Sequence, residues 1–172
     1  NSFSSCTATI TLENSADGRF NPANSSSPYF PGIEPLITVV IDCLVAGEST
    51  HTNLYTGFVT DWLTQYPNQT TSKVEVSCSD AFVKLANIEV AALTSSSADS
   101  GTMVSSILNN SQVQFSGSTS IETGNSTMQA INKSTNVLAL IQEIEKSENG
   151  SFFVGADGTL NFKKRHSSFP SA

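Results

Sequence analysis

The sequence predicts an α+β chain, mostly β: a β-barrel or β-sandwich followed by a smaller α+β segment with a long helix and a C-terminal hairpin. Three observations predict it. Apolar and polar residues alternate with period two in several runs of the first half, the mark of half-buried strands. From Val137 the period becomes helical, with Val137, Leu140, Ile141 and Ile144 at i, i+3, i+4 and i+7. Asp157-Gly158 then lies between two aromatic-bearing runs, a strong hairpin signal.

The first strand is expected over Ser5 to Glu13. Cys6, Ala8, Ile10 and Leu12 share one face, and Thr7, Thr9, Thr11 and Glu13 the other. Thr11 to Pro35 then reads as irregular chain held in a defined shape. Asp17-Gly18 and Pro31-Gly32 are turn pairs, and Asn21-Pro22 and Ser27-Pro28 restrict the residues before each proline. Phe20, Tyr29 and Phe30 sit among them and need apolar surface to cover, so this is a loop pinned across the end of a barrel or sandwich, not a linker.

Leu36 to Val45 is the strongest strand. Ile37, Val39, Ile41, Cys43 and Val45 form one apolar face; Leu36, Thr38, Val40, Asp42 and Leu44 form a mixed one. Three apolar groups exceed what a solvated face carries, so a second layer or a partner subunit is expected over them. A turn at Ala46 to Thr52 leads to a strand over Asn53 to Leu63, with Leu54, Phe58 and Trp62 in one phase. Gly57 inside it marks a bulge or a barrel bend. Tyr66-Pro67-Asn68-Gln69 turns the chain, and Lys73 to Cys78 returns as a strand with Val74, Val76 and Cys78 inward.

Ser79-Asp80 reads as a helix cap before an apolar stripe of Ala81, Phe82, Leu85, Ala86 and Ile88. The Ser-rich stretch Ala91 to Ser100 reads as a boundary, dividing a barrel domain with its closing helix (1–93) from an α+β domain (94–172). Within the second, a helix is expected over Ser100 to Asn109 and a weak strand over Val113 to Ile121. The long helix is expected over 134–147, ended by Gly150, with the hairpin over 151–164. The absence of an initiator Met, with the first residues already leading into a strand, points to a processed chain or part of a longer one.

Composition narrows the function. Of 172 residues only 13% are charged, about half the ~25% usual for a globular domain. Ser, Thr and Asn make up more than a third, which suits sheets and turns, and a surface covered by neighbours. Net charge is -7 and the pI about 4.6, against a nucleic-acid binder, which needs clustered Lys and Arg. No apolar run reaches about 18 residues, so no membrane-spanning helix is expected. Cys6, Cys43 and Cys78, odd in number and widely spaced, fit neither a disulfide framework nor a zinc site. All three fall on inward phases and read as small core residues.

Catalytic signatures are missing. There is no nucleophile elbow, no P-loop and no dinucleotide fingerprint. No cofactor, metal or enzymatic activity is therefore expected. His51 and His166 stand alone and read as solvated. Glu143, Glu145 and Glu148 read as a solvated helix face against the alternative of paired catalytic carboxylates. Lys163-Lys164-Arg165 reads as a charged strand end, or else a contact to an acidic neighbour or phosphate. Phe20, Tyr29, Phe30, Phe58 and Trp62 read as packing residues, or else as an aromatic sugar-binding platform. Asn-x-Ser/Thr sites occur at Asn24, Asn68, Asn109, Asn125, Asn132 and Asn149, a small excess among fourteen asparagines. They keep open a secreted β-sandwich module for carbohydrate binding or adhesion.

Several of these segments, in order, resemble bacteriophage tail-hub proteins, minor tail proteins that cap the distal end of the tail tube. The first match runs through Thr9, Thr11, Leu12, Asn14, Arg19, Phe20, Pro22, Asn24, Ser27, Pro28, Tyr29, Phe30 and Pro31. Gly57-Phe58-Val59 with Asp61-Trp62 is similar to the family's tail-facing strand, and Val74 to Phe82 to its barrel strand and following helix. Ser126 to Ile131 and the helix-to-hairpin segment ending at Lys164 follow in family order, with Glu148-Asn149-Gly150 replacing the usual glycine pair. The resemblance implies a structural virion protein of a baseplate or tail hub. It implies β-barrels arranged as a homotrimeric ring in the virion tail, made in the host cytoplasm. Its partners would be the distal tail protein, the tape-measure protein and tail-tip or fibre proteins, with DNA passing only non-specifically and no membrane contact. Arg19, Phe20, Pro22, Pro28, Tyr29, Phe30, Gly57 and Trp62 are then the candidate motif and contact residues. Some hubs carry a peptidase or lysozyme domain; none of its residues can be placed here.

Overall fold

The computed structural model describes residues 4–14, 18–66 and 72–167. Asp17, the turn expected at Pro67-Asn68-Gln69 and the end of the polar tail lie outside the described residues. By contacts the chain divides into two compact units, Cys6–Asp80 and a second that runs from Ala81.

The first unit is a four-stranded antiparallel sheet, curled into a half-barrel. Its strands are β1 (Thr7–Glu13), β2 (Thr38–Leu44), β3 (His51–Gln65) and β4 (Lys73–Ser79), in the order β1-β4-β3-β2. Alternation places Val59, Val74, Val76, Cys78 and Tyr55 on the inner face, where they are buried. Ala8, Ile10, Leu12, Ile37, Val39, Ile41, Phe20 and Trp62 pack against them. Asp80 closes one end: its amide donates to the Cys6 carbonyl (3.0 Å), and its carboxylate accepts from the Cys6 amide (2.6 Å).

Several expectations need correction here. β3 begins at His51, so His51 and Thr52 belong to a strand, not the turn. Phe58 and Trp62 do not share a phase. The register slips between Val59 and Asp61, so Phe58 pairs with Ser79 while Trp62 pairs with Val76, and the two rings face opposite sides. The extra residue of such a bulge reverses the alternation beyond it. Gly57 is not itself the bulge, because Val39 pairs with it in regular register. Cys6 is exposed and Cys43 half-buried; only Cys78 is a core thiol.

The second unit holds α1 (Phe82–Ala86), β5 (Glu89–Ser95), β6 (Ala98–Asp99), α2 (Ser100–Leu108), β7 (Thr119–Ile121), β8 (Thr127–Met128), β9 (Ile131–Asn136), α3 (Val137–Glu148), β10 (Ser151–Val154) and β11 (Leu160–Lys163). Phe82, Leu85, Met103, Val104, Ile107, Leu140, Ile141, Phe152, Leu160 and Phe162 fill its core. The hairpin forms as expected, with Phe152 opposite Phe162. The Asp157 carboxylate accepts from the Thr159 amide (3.1 Å) and hydroxyl (2.9 Å) across the turn. Those two bonds hold its pKa below the ordinary value.

Here too the local signals were overridden in places. By contacts the division falls at Asp80/Ala81, and the Ser-rich stretch is structured. That stretch forms β5, which pairs with β9, and β6, which pairs with β8. Asp80 is engaged with Cys6, so α1 starts after Ala81 without a side-chain cap. Residues 134–136 are strand. α3 starts at Val137, capped by the Asn136 side chain on the Ala139 amide (3.1 Å). The left-handed residue that ends α3 is Asn149 (φ 55°), not Gly150. Gly150 is required for another reason: a Cβ there would lie 2.3 Å from the Lys163 carbonyl oxygen.

Candidate functional site

The loop between β1 and β2 is built from overlapping turns. Backbone amides of Asn21, Asn24, Ser27, Phe30 and Gly32 each donate to the carbonyl three residues earlier, at 2.8–3.2 Å. Short side chains lock each step. Asn21 accepts from the Ala23 amide (3.0 Å), Asn24 from the Ser26 amide (3.0 Å) and Ser27 from the Tyr29 amide (3.1 Å). Asn, Asp and Ser favour turns through such contacts with the backbone two residues on. The Ser27 hydroxyl also donates to the Arg19 carbonyl, and the Asn24 amide to the Gly18 carbonyl (3.2 Å).

Two anchors tie the loop to the sheet. Buried Asn14, at the end of β1, accepts from the Phe20 amide (2.9 Å). At the far end Leu36 donates to the Val59 carbonyl (2.7 Å), and the Trp62 indole donates to the Glu34 carbonyl (3.1 Å). Phe20 packs on the sheet core and stacks on Tyr29, with ring centroids 5.0 Å apart and planes 12° apart. The Phe30-Pro31 peptide is cis.

The candidate residues are therefore partly gathered. Arg19, Phe20, Pro22, Pro28, Tyr29 and Phe30 all lie in this loop, and Trp62 ties its exit to β3. Pro22 and Pro28 are exposed, as are Tyr29 and Phe30, at 49% and 48%. Gly57 lies on the inner face of β3, apart from the loop. A Cβ there would fall 2.3 Å from the Tyr55 hydroxyl oxygen and 2.6 Å from the Ser79 carbonyl oxygen. The glycine thus admits the Tyr55 ring. Burial, with Cys78 and Asp80 close by, pushes the Tyr55 phenol well above its ordinary pKa. Gly57→Ala is expected to cost about 1–3 kcal/mol by overpacking, read as a lower midpoint in urea unfolding.

The sequence missed a polar centre in the second unit. Glu145 and Glu148 are buried, not solvated, at 2% and 0% exposure. Glu145 accepts from the Phe152 amide (3.1 Å). Glu148 accepts from the Ser100 hydroxyl (2.9 Å) and the amides of Ser126 (2.8 Å) and Asn125 (3.1 Å), with the Arg165 guanidinium 4.0 Å away. Burial alone would raise its pKa. The bonds from Ser100, Ser126 and Asn125 outweigh it and hold the carboxyl below 4.5. Helical spacing could have flagged it: Glu148 continues the apolar series of Ile141 and Ile144 by i+7 and i+4. The arrangement is a structural clasp on the N-terminus of α2.

Two side chains of the basic cluster, Lys163 and Arg165, face carboxylates within the chain. Lys163 pairs with Glu122 (3.2 Å), which also accepts from the Lys164 amide (3.1 Å) and the Ser167 hydroxyl (2.8 Å). His51 contacts Asp42 across β2 and β3 at 3.2 Å. Among the described residues no group of three His, Cys, Asp or Glu is placed to hold a metal ion, and no helix is long and apolar enough to cross a membrane. An open groove of about 400 Å³ lies between α3 and the β8–β9 segment. Met103, Met128, Leu140 and Ile144 line it, and the Lys133–Glu143 ion pair (2.7 Å) stands at its rim.

Four of the six sequon asparagines have structural work. Asn24 locks the loop, Asn109 bonds the Ser105 carbonyl (2.9 Å), Asn125 bonds the Arg165 carbonyl (3.3 Å) and Asn149 ends α3. Asn68 lies outside the described residues. Phe58 points away from Trp62, and Phe20 is stacked on Tyr29, so the five aromatics form no common platform.

No protein-family model matches the chain, and no curated protein matches it. Among solved structures it is similar to the 43 kDa tail protein of prophage MuSo2 from Shewanella oneidensis. The likeness covers 92% of this chain at a TM-score of 0.56 and 15% identity. The chain spans 44% of that protein's length. At that identity the likeness establishes a shared fold.

Proposed function

We propose that this chain is a structural virion protein, a hub or minor tail protein at the distal end of a phage tail tube. It forms part of a homotrimeric ring that joins the tube to the tail tip. The observation that carries this reading is the fold shared with a prophage tail protein over nearly the whole chain. The ordered resemblance to tail hubs, from Thr9 to Lys164, points the same way. The partners are the distal tail protein, the tape-measure protein and tip or fibre proteins. The chain is made in the host bacterial cytoplasm and ends in the virion tail. Its role is architectural, without catalysis: Glu148, its most buried carboxylate, is spent on clasping backbone amides. With a net charge of -7, the ring lets DNA pass without sequence-independent binding.

Deleting the coding sequence from the producing phage or prophage tests the reading. The expected result is particles without completed tails, restored when the chain is supplied from a plasmid. Normal tails and undiminished infectivity would overturn it.

A further inference from the structure

The groove between α3 and the β8–β9 segment has two walls of different kinds. On one side stand Leu140, Glu143, Ile144 and Ser147, a stripe at helical spacing; on the other lie six consecutive residues, from Met128 to Lys133. A strand presents only every second side chain to one side, so an unbroken run of lining residues means that the backbone itself borders the groove. That backbone is available. β9 pairs only with β5 among the described residues, and every second residue of such an antiparallel strand turns its N–H and C=O away from the partner. Among the described residues, no amide from Gln129 to Ser134 donates outside the ladder with β5. Asn132, Lys133 and Ser134 are exposed.

Size, charge and floor define the occupant. Leu140 to Ser147 spans about 10 Å of helix, and Met128 to Lys133 about 17 Å of extended chain. A folded partner buries about 800 Å² on each side, more than a cleft of about 400 Å³ presents. About four or five extended residues match its length. The charges on the walls cancel, because Lys133 reaches Glu143 across the rim at 2.7 Å. Lys is a usual guard of a free strand edge; here the only charge of β9 is drawn onto α3. A charged segment finds no unpaired counter-ion between these walls, and an uncharged one matches them. The floor is apolar, with Met103, Leu140 and Ile144 buried and Met128 half-buried. Methionine adapts its shape, which suits surfaces that accept several side chains.

We infer that this groove binds an extended, uncharged peptide segment of another protein, which adds as a strand to the free edge of β9. Main-chain hydrogen bonds to β9 give affinity, and alternate side chains on Met103, Met128, Leu140 and Ile144 give selectivity, as in other strand-addition sites. α3 closes the far side and fixes the depth to which those side chains enter. The inference goes beyond the tail assignment and does not depend on it.

Capped hexapeptides alternating Thr with Leu, Val or Phe test it on the purified full chain. Saturable binding of at least one is expected in calorimetry, with slowed hydrogen exchange at Gln129 to Ser134. Methylating alternate peptide amides is expected to weaken binding at least ten-fold in one phase and little in the other, because only one phase faces β9. Ala130→Trp changes an exposed residue outside the ladders. It is expected to lower affinity at least ten-fold while leaving the melting temperature unchanged. Binding by none of the peptides, equal binding of both methylated phases, or affinity insensitive to Ala130→Trp would each overturn the inference. So would protection at β1 or β2 in place of β9. Because the assay uses purified chain, its failure leaves the tail assignment standing, and normal tails in the deletion strain would sink only that assignment.

Discussion

Glu148→Ala is expected to destabilise the second unit by about 3–5 kcal/mol, the range for stranding the partners of a buried charge. The change leaves the buried Ser100 hydroxyl and the part-buried Ser126 and Asn125 amides without their acceptor. Each unsatisfied buried donor costs roughly 1–3 kcal/mol. Glu148→Gln keeps the shape but turns part of the acceptor into a donor facing other donors, so it also destabilises, by less. The same carboxylate sets a pH dependence. Its folded pKa lies below the ordinary 4.5, so the native state binds the proton less readily than the unfolded chain. The stabilisation is complete above about pH 4.5 and is lost as pH falls through the folded value. Glu122, lowered by Ser167, Lys164 and Lys163 against the cost of burial, acts in the same direction. Urea unfolding between pH 7 and pH 3 checks this: wild type loses stability steeply on acidification, and Glu148→Gln loses less. An unchanged slope in the variant would contradict the assignment.

Phe152→Ala is expected to cost about 3–5 kcal/mol, the usual range for truncating a buried aromatic. Phe152 is fully buried and stacks on Phe82, with centroids 5.0 Å apart and planes at 27°. The pair ties the hairpin to α1. Such pairs contribute about 0.5–1.5 kcal/mol beyond burial. A cycle with Phe82→Ala should therefore return a coupling of that size from chemical denaturation. Purely additive losses would mean that the two rings act independently.

Elements governed by their own residues were legible in the sequence; those governed by distant partners were not. Alternation alone placed β1, β2 and β4, because one face of each meets the same core. The α3 stripe and the Asp157-Gly158 turn are likewise local. The Thr60 bulge was invisible, since Gly57 drew attention to the wrong residue and only pairing with β4 shows the slip. Ala91 to Ser100 read as a break, yet β5 within it pairs with a segment some forty positions on. Lys133 to Asn136 carry good helix-start residues and still form strand, because that pairing outweighs propensity. The pinned loop was read correctly as ordered chain, since Asn21, Asn24 and Ser27 make their locking bonds within a few residues. Its aromatics divided in a way that sequence could not give. Phe20 reaches the core, and Tyr29 and Phe30 remain half-exposed, because the fold of the loop decides which ring meets the sheet. Glu148 reads as solvated in sequence because its partners come from segments far away along the chain.

The central claim is that this chain sits at the tip of a phage tail. Immunogold electron microscopy of purified particles, with an antibody to this chain, tests it most directly. The account predicts label confined to the distal end of the tail, at about three copies per particle if the ring is a cyclic trimer. Label along the tube, on the capsid, or on no particle at all would contradict it.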